Sequence, residues 1–407
     1  MTFDIERVRA EYPALSEGFA HFEGAAGTLV ARRCADAIAH VTGSAVANKS
    51  SAFEPGRRAL DIVDRARAAV ADLVGGEPDG VVFAQSATAL TYLVARTLAQ
   101  PGDGPGWGPG DEVVVSRLDH DANVRPWLQV AARTGATVRW AEFDRDTGVL
   151  AHDQYRDLVN ERTRLVAVTA ASNAIGSRTN VAEVAEIAHA AGALVYVDGV
   201  HATPHVPVDV ARLGADFYVT SAYKWSGPHI AACVAPVERW ERMRPEKLVP
   251  APDEGPDRFE HGTISFELLA GVVGAVEHLA ALAPAGASTR RDRVLESMGA
   301  AQAYESEIFT LLVNGLAEIP GVTQLPAPPF RCPTVSFRLA GQHPAGTAER
   351  LGAEGICVYS GDNYAYEYFQ TMGLRDTGGA VRASVYHYNT VDDVARLLDA
   401  LKRVSST

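Results

Sequence analysis

The sequence predicts an α/β protein with two domains: a large one built on a mostly parallel, mixed sheet flanked by helices, and a smaller α+β one. Between about residues 60 and 235, short β-rich runs alternate with helical patterns, as expected where helical crossovers connect parallel strands. After residue 265, long helical patterns precede a β-rich segment. The chain has 407 residues, 47% of them hydrophobic, enough for both cores. We place the large domain at 20–265 and the small domain at 1–19 with 266–407.

The elements of the large domain follow from local patterns. We predict strands at 81–84, 112–116, 137–140, 165–170, 193–197, 217–220 and 230–234. We predict helices between them at 60–73, 87–98, 122–133 and 181–190. In a parallel sheet of this kind, ligands bind where the strands reach their carboxyl edge.

The remaining segments divide into loops and the elements of the small domain. The Gly- and Pro-rich stretch 101–110 predicts a surface loop, and 248–257 an irregular connection. Helical patterns cover 266–282, 290–316, 345–353 and 391–404, and a β-rich segment covers 334–338.

Charge and composition exclude several classes of function. The net charge of −13 disfavours a nucleic-acid or anionic-membrane partner. No apolar run approaches the ~20 residues of a membrane span, and the N-terminus lacks a secretory signal. The cysteines, Cys34, Cys233, Cys332 and Cys357, share no short spacing, so they predict neither a disulfide framework nor a metal site. We therefore expect a cytoplasmic globular protein.

Two ionisable residues end neighbouring predicted strands. Lysine is scarce, with four residues against 33 arginines, yet Lys224 follows an apolar strand and precedes the turn-forming Ser226-Gly227-Pro228. Asp198 ends the preceding strand. Pyridoxal phosphate needs this pair, because a lysine amine forms a Schiff base with it and a carboxylate keeps its ring nitrogen protonated. The alternative is an ordinary salt bridge between strand ends.

The sequence resembles the class V aminotransferases, and among them the cysteine desulfurase-like branch, from Glu11 to Thr390. The matching segments are FEGAAGT at 22–28, LDHDANVRPW at 118–127, SN at 172–173, DG at 198–199, Lys224, FEHGT at 259–263 and VRAS at 381–384. This resemblance implies the fold type I architecture of pyridoxal-phosphate-dependent transferases, with that cofactor and a small amino-acid substrate.

The resemblance also implies roles around the cofactor ring. Lys224 would be the Schiff-base lysine and later the base that moves the Cα proton, work that suits a buried amine of lowered pKa. Asp198 would pair with the ring nitrogen, and His120 would stack on the ring and shuttle protons. Asn173 and His201 would approach the phenolic oxygen. His120 has the alternative of a purely structural role.

Several residues are predicted to bind the phosphate. Ser86, Ala87 and Thr88 lie where a strand runs into a helix, whose free amides and dipole favour an anion. The alternative for Ser86 is an ordinary helix N-cap. By resemblance, Ser221 and Tyr223 also contact the phosphate, and Thr263 reaches it from the neighbouring subunit of a homodimer with shared active sites.

By resemblance, Arg382 binds the α-carboxylate of the substrate, assisted by the backbone at Ala25 and Ala26. A guanidinium matches a carboxylate in two-point geometry. Tyr364 stands where desulfurases carry the loop cysteine that accepts sulfur. It could donate a proton instead. The nearest thiol, Cys357, lies in an apolar strand pattern, where burial raises a thiol pKa and disfavours attack.

The predicted site residues and the missing loop cysteine favour some reactions of pyridoxal phosphate over others. We expect first a C–S β-lyase that cleaves cysteine or an S-substituted cysteine, since this needs Lys224 but no enzyme thiol. Second is decarboxylation coupled to oxidative deamination, as in relatives from bacterial specialised metabolism. Transamination, epimerisation and persulfide-forming desulfuration follow, and a cofactor-binding regulator without activity comes last.

Overall fold

The computed structural model describes residues 3–101, 106–284 and 286–405. The strands in chain order are β1 Ala20–His21, β2 Val81–Ala84, β3 Glu112–Ser116, β4 Thr137–Ala141, β5 Thr163–Thr169, β6 Leu194–Asp198, β7 Phe217–Ser221, β8 Ala231–Val234, β9 Val322–Gln324, β10 Thr334–Leu339, β11 Ile356–Cys357, β12 Tyr359–Gly361 and β13 Ala380–Ser384. The helices are α1 Ile5–Ala10, α2 Arg32–Thr42, α3 Glu54–Val74, α4 Ala87–Ala99, α5 Arg125–Thr134, α6 Tyr155–Leu158, α7 Val181–Ala190, α8 Val210–Leu213, α9 Val237–Glu241, α10 Phe266–Leu279, α11 Arg290–Ala317, α12 Pro344–Ala353, α13 Tyr366–Thr371 and α14 Val391–Ser405.

The large sheet has the order β2-β8-β7-β6-β5-β3-β4, and every pair is parallel except the two that involve β8. Its strands are apolar on both faces: Val166 and Val195 enter one core cluster, whereas Leu165 and Tyr196 enter another. Successive side chains of a strand point to opposite faces, so both faces must be covered by helices. The predicted mostly parallel mixed sheet is confirmed.

The small sheet is antiparallel, with the order β12-β13-β10-β9. A separate parallel ribbon pairs β1 with β11, and Phe22, directly after β1, packs into the same core as Val335, Phe337 and Val381. The division of the chain into 20–265 and the remainder stays a prediction.

The structure refines several predicted boundaries. The helix expected from residue 122 starts as a 3₁₀ turn over Asp121–Asn123, and the α-helix proper begins at Arg125, next to Pro126 in its first turn. The helix expected to reach 282 ends at Leu279. Of the predicted loop 101–110, residues 102–105 lie outside the described residues. Among the described ranges, no helix combines the length and apolar character needed to cross a membrane.

Candidate active site

The polar ends of three neighbouring strands meet at one edge of the large sheet. Thr169, Asp198 and Ser221 end β5, β6 and β7, which run parallel, so their carboxyl ends share this edge. Lys224 follows Ser221 through a 3₁₀ turn over Ala222–Lys224. All four residues line one small cavity of about 80 Å³, the inner cavity. The structure therefore brings the predicted lysine and carboxylate together.

The inner cavity adjoins a larger one of about 850 Å³, the outer cavity. His120, Asn173, Tyr223 and Lys224 line both cavities. The outer cavity is also lined by residues of the small sheet, among them Arg382. We refer to the two cavities together as the cleft.

Burial and neighbouring charges tune the central pair. Burial and, to a smaller extent, the positive charge of Arg382 lower the pKa of the Lys224 amine to about 7, and the nearby Asp198 opposes this shift. Burial raises the pKa of the Asp198 carboxyl to about 6, against the Val200 amide, which donates to it at 2.9 Å, and against Lys224. The Lys224 Nζ donates to the carbonyl of Ala25. An amine with this pKa is readily neutral and can act as a base.

His120 is neutral and fixed in orientation. Its Nδ1 accepts a hydrogen bond from the Ala122 amide at 3.0 Å, which places the ring proton on Nε2. Burial lowers the His120 pKa to about 3, and the positive charges of Lys224 and Arg382 contribute to the shift. The imidazole can therefore donate a hydrogen bond from Nε2 without carrying charge.

The start of α4, predicted to bind the phosphate, lines the inner cavity. Ser86 is the N-cap of α4, and its hydroxyl accepts a hydrogen bond from the Ala89 amide at 3.1 Å. The Ser86 side chain therefore caps the helix, which is the alternative given for it above. Ala87 and Thr88, in the first helical turn, line the inner cavity beside Ser221. Amides of a first turn have no partner within their helix and favour a phosphate.

Tyr223 contributes its side chain to the lining of both cavities. Its ring stacks on that of His229, with centroids 4.9 Å apart and an interplanar angle of 7°. Burial raises the pKa of the phenol, so the group is a neutral hydrogen-bond donor.

Two buried polar atoms beside the inner cavity have no partner within the described protein. His201 Nε2 is 3.0 Å from the Thr334 hydroxyl, but His201 Nδ1 is unpaired. Asn173 Nδ2 donates to the Asn363 carbonyl at 2.8 Å, whereas Asn173 Oδ1 is unpaired. Buried polar atoms are rarely left unsatisfied. These two atoms therefore fit a polar group that enters the cleft.

Arg382 is a buried cation without a buried anion. Its side chain belongs to β13, the residue is 3% exposed, and Nη1 donates to the Asn173 carbonyl at 2.9 Å. In the described part of the chain, no carboxylate lies within salt-bridge distance of Arg382, and its buried Nε has no partner. Burial lowers the guanidinium pKa to about 10. An unpaired buried charge is costly, so this position favours an anionic ligand.

Ala25 and Ala26 line the outer cavity, but both of their backbone amides already donate hydrogen bonds within the protein. The Ala25 amide donates to the Ser384 hydroxyl at 2.9 Å, and the Ala26 amide donates to the Glu23 carbonyl at 2.6 Å. Neither amide is free to donate to a substrate unless the turn rearranges. In this conformation the two residues contribute a wall of the cleft.

Tyr364 stands at the mouth of the outer cavity, with 72% of the residue exposed. Its ring stacks on His120, with centroids 5.5 Å apart. Asn363 and Tyr364 have φ angles of 50° and 59°, in the left-handed region. Two hydrogen bonds to backbone carbonyls hold this loop. The Asp121 backbone amide donates to the Tyr364 carbonyl, and the Asn173 side-chain amide donates to the Asn363 carbonyl, both at 2.8 Å.

The structure adds three residues to the mouth that sequence patterns did not identify. Tyr92, Arg125 and Tyr359 line the outer cavity. Tyr92 is four residues after Thr88 on α4, a helical spacing that could have indicated it. Tyr359 lies opposite Arg382 in the register of β12 and β13, and no local pattern predicts that pairing.

Thr263 is not part of the cleft of this chain. It is exposed and lines a separate cavity of about 560 Å³ together with Gln85 and His261. Its predicted role in a neighbouring subunit stays a prediction.

The cysteines also lie outside the cleft. All four are in the described ranges; Cys34, Cys233 and Cys332 are buried, Cys357 is half-buried, and none lines either cavity. Burial raises the pKa of the Cys357 thiol. The cleft therefore has a base and a cation but no thiol of its own.

Comparison with known proteins places the chain in a family. The aminotransferase class-V family model matches residues 20–397. An uncharacterized protein of Mycobacterium tuberculosis is 36% identical over 401 residues, which cover 98% of this chain and 99% of the relative. A cysteine desulfurase of Escherichia coli is 30% identical, with 99% of both chains covered. The crystal structure of an Escherichia coli cysteine desulfurase superimposes with a TM-score of 0.86 at 28% identity, covering 100% of this chain and 99% of the other.

The family agrees with the cleft, in which a buried lysine and carboxylate share one cavity beside the first turn of a helix. The chain belongs to the class V aminotransferases and is an enzyme of fold type I that uses pyridoxal phosphate.

Proposed function

We propose that the enzyme is a C–S β-lyase that cleaves an S-substituted cysteine. In the overall reaction, the substrate and one water molecule yield a free thiol, pyruvate and ammonium. The Cβ–S bond breaks, the sulfur leaves with the electron pair, and no oxidant is required. The observation that carries the proposal is a cleft that has no cysteine in its lining but holds the buried Arg382, which has no carboxylate partner in the described residues, and the amine of Lys224, whose lowered pKa favours its neutral form.

The residues that would hold the cofactor follow from the inner cavity. Asp198 would face the ring nitrogen, and the first turn of α4 with Ser221 and Tyr223 would receive the phosphate. The unpaired His201 Nδ1 could donate a hydrogen bond to the phenolic oxygen of the ring, and the unpaired Asn173 Oδ1 could accept one from that oxygen when it is protonated. Pyridoxal phosphate, when bound, withdraws electrons from the Cα of an attached amino acid.

Arg382 would orient the substrate. A guanidinium binds an α-carboxylate through two parallel hydrogen bonds, and the bond from Nη1 to the Asn173 carbonyl fixes the plane of the group. Lys224 Nζ lies at the same cleft and would take the Cα proton. Its pKa of about 7 leaves a large fraction of the amine neutral at physiological pH.

A thiolate leaving group departs more readily when a proton is donated to it. His120 carries its proton on Nε2 and stacks on Tyr364, whose phenol lies at the mouth. The neutral His120 could donate a hydrogen bond to the departing sulfur, whereas the proton would come from the Tyr364 phenol or from Lys224 after it has taken the Cα proton. The outer cavity, with Tyr92 and Tyr359 in its wall, has space for a substituent on the sulfur.

The cysteine positions support elimination over sulfur transfer. Transfer of sulfur to the enzyme requires a thiolate at the cleft, and Cys357, the only cysteine that is not fully buried, does not line it. The family also contains cysteine desulfurases, so this alternative must be measured.

The test is to incubate the holoenzyme with L-cysteine and a series of S-alkyl cysteines and to identify every product by mass. We expect pyruvate and the free thiol in equal amounts. Alanine would indicate desulfuration, carbon dioxide with an aldehyde would indicate oxidative decarboxylation, and a keto acid that retains its sulfur would indicate transamination. Any of these as the main product refutes the lyase. Cys357→Ser is the control, and its activity should equal that of the wild type.

We also infer a cytoplasmic homodimer with shared active sites. The exposed Thr263 lies in a cavity apart from the cleft, as expected for a residue that serves a second subunit. None of the four cysteines is in a disulfide, which is typical of a reducing compartment. Light scattering and loss of activity in a monomeric variant would test the dimer.

A further inference from the structure

Three potential metal ligands meet where β1 pairs with β11. His21 lies directly opposite Cys357 in this parallel ribbon. Glu23 lies two residues beyond His21, so alternation places both side chains on one face, whereas Phe22 points into the small-domain core. One ligand atom from each of His21, Glu23 and Cys357 lies within 4.8 Å of the other two.

The backbone around the cluster is fixed. The Phe22 amide donates to the Cys357 carbonyl at 2.9 Å, and the Asn389 side chain donates to the His21 carbonyl at 2.8 Å. The cluster is therefore preorganised by strand pairing between segments from opposite ends of the chain. Cysteine spacing in the sequence cannot reveal a site of this kind.

The side chains leave coordination capacity unused. His21 Nδ1 and Glu23 Oε1 are 2.6 Å apart, but Glu23 Oε2 is buried and has no hydrogen-bond partner in the described protein. Cys357 is a free, half-buried thiol. The His21 and Glu23 side chains are 12% and 19% exposed, so an ion can reach the cluster from solvent. The carboxylate oxygen without a partner is an atom of the cluster that a bound cation would satisfy.

We propose that His21, Glu23 and Cys357 form a binding site for a thiophilic divalent cation of the zinc class. A nitrogen, a carboxylate oxygen and a sulfur suit zinc, whereas calcium and magnesium require oxygen ligands. Binding replaces the hydrogen bond between His21 and Glu23 with bonds to the metal, and the Cys357 thiol releases its proton to solvent. Water completes the tetrahedron.

The proposed metal site would be linked through hydrogen bonds to the turn at Ala25 and Ala26, which forms a wall of the cleft, but it would not take part in the reaction. None of its three residues lines the cleft. However, the Glu23 carbonyl accepts from the Ala26 amide, and the Ala25 carbonyl accepts from Lys224. A metal at Glu23 would therefore tie this turn to β11.

The test measures metal binding on the holoenzyme after treatment with a chelator. Cobalt(II) is the probe, because tetrahedral cobalt with a thiolate ligand absorbs in the red, beyond the absorption of the cofactor. We expect one cobalt per chain, displacement by zinc, and protection of the Cys357 thiol from alkylation. Zinc should also raise the melting temperature of the wild type.

Matched variants locate the site. Cys357→Ala and His21→Ala should each weaken cobalt binding by more than about tenfold, and Glu23→Gln provides the same test with little change of shape. Cys34→Ala and His152→Ala are controls and should bind like the wild type. Absence of binding by the wild type, or equal binding by the ligand variants, would overturn the site. These readouts do not depend on which reaction the enzyme catalyses.

Discussion

The floor and the mouth of the cleft are built on different principles. The floor consists of Asp198 and Ser221, which are buried at the ends of paired strands in the large sheet, and of Lys224, which is buried in the 3₁₀ turn that follows Ser221. The mouth consists of the loop around Tyr364 together with Tyr92, Arg125 and the exposed Tyr359, and the loop is held by two hydrogen bonds to the carbonyls of residues 363 and 364. The floor has the rigidity of a sheet, whereas the mouth depends on contacts between distant segments.

We expect the floor to determine the chemistry of the reaction and the mouth to determine which substrates are accepted. The floor holds the groups that any reaction with pyridoxal phosphate requires, a base and a carboxylate for the ring nitrogen. The mouth determines which substituent can enter and which group donates a proton to it. We expect substitutions in the floor to remove all reactions, and substitutions in the mouth to change the choice among substrates.

The largest effect should come from Lys224→Ala. Because Lys224 is the amine at the floor of the cleft and the proposed proton acceptor, we expect kcat to fall by more than about 1000-fold, at the upper part of the range for general bases. The variant should also lose the visible absorption of bound cofactor. Lys402→Ala, on the exposed side of α14, is the control. Full activity of the Lys224 variant would refute the floor assignment.

The contrast between floor and mouth also explains what the sequence could predict. Strands β5, β6 and β7 were predictable because each is a short apolar β-rich run, and parallel pairing then places their polar ends together. That alone brings Asp198 and Lys224 to one edge.

The mouth and the ribbon of β1 with β11 were not predictable, because each depends on pairing between segments that are distant in the sequence. Tyr359 enters the cleft through the antiparallel register of β12 with β13, and β1 is two residues long with no pattern of its own. The engagement of the Ala25 amide by Ser384 is likewise a contact between distant segments. Such contacts depend on tertiary packing that local patterns do not encode.

A substitution between the two regions should have an intermediate effect. In Arg382→Ala the substrate carboxylate loses its charged hydrogen bonds, so we expect kcat/KM to fall by about 100-fold, or about 2.7 kcal/mol. The loss should appear mainly in KM. Arg382→Lys should recover little of it, because an ammonium cannot make the two-point contact. Arg403→Ala, on the surface of α14, is the control. A variant with unchanged KM for every amino acid would indicate that the carboxylate binds elsewhere.

The smallest effect should come from substitutions of Tyr364. These variants test whether a residue of the mouth takes part in the chemistry. If its ring only shapes the entrance and covers His120, Tyr364→Phe should behave like the wild type. Tyr364→Ala should then lower kcat/KM for bulky S-substituted cysteines by about five- to tenfold, the value of roughly one aromatic contact.

L-cysteine is the matched small substrate, and its kcat/KM should change less in Tyr364→Ala. Equal losses in the Phe and Ala variants, for all substrates, would mean that the phenol O–H protonates the departing sulfur. In that case a group on the exposed loop would share the catalytic work of the buried floor, and selectivity and chemistry would not be separable in this cleft. Steady-state kinetics on the three proteins with both substrates distinguishes these outcomes, since only the proton-donor role makes the loss independent of substituent size.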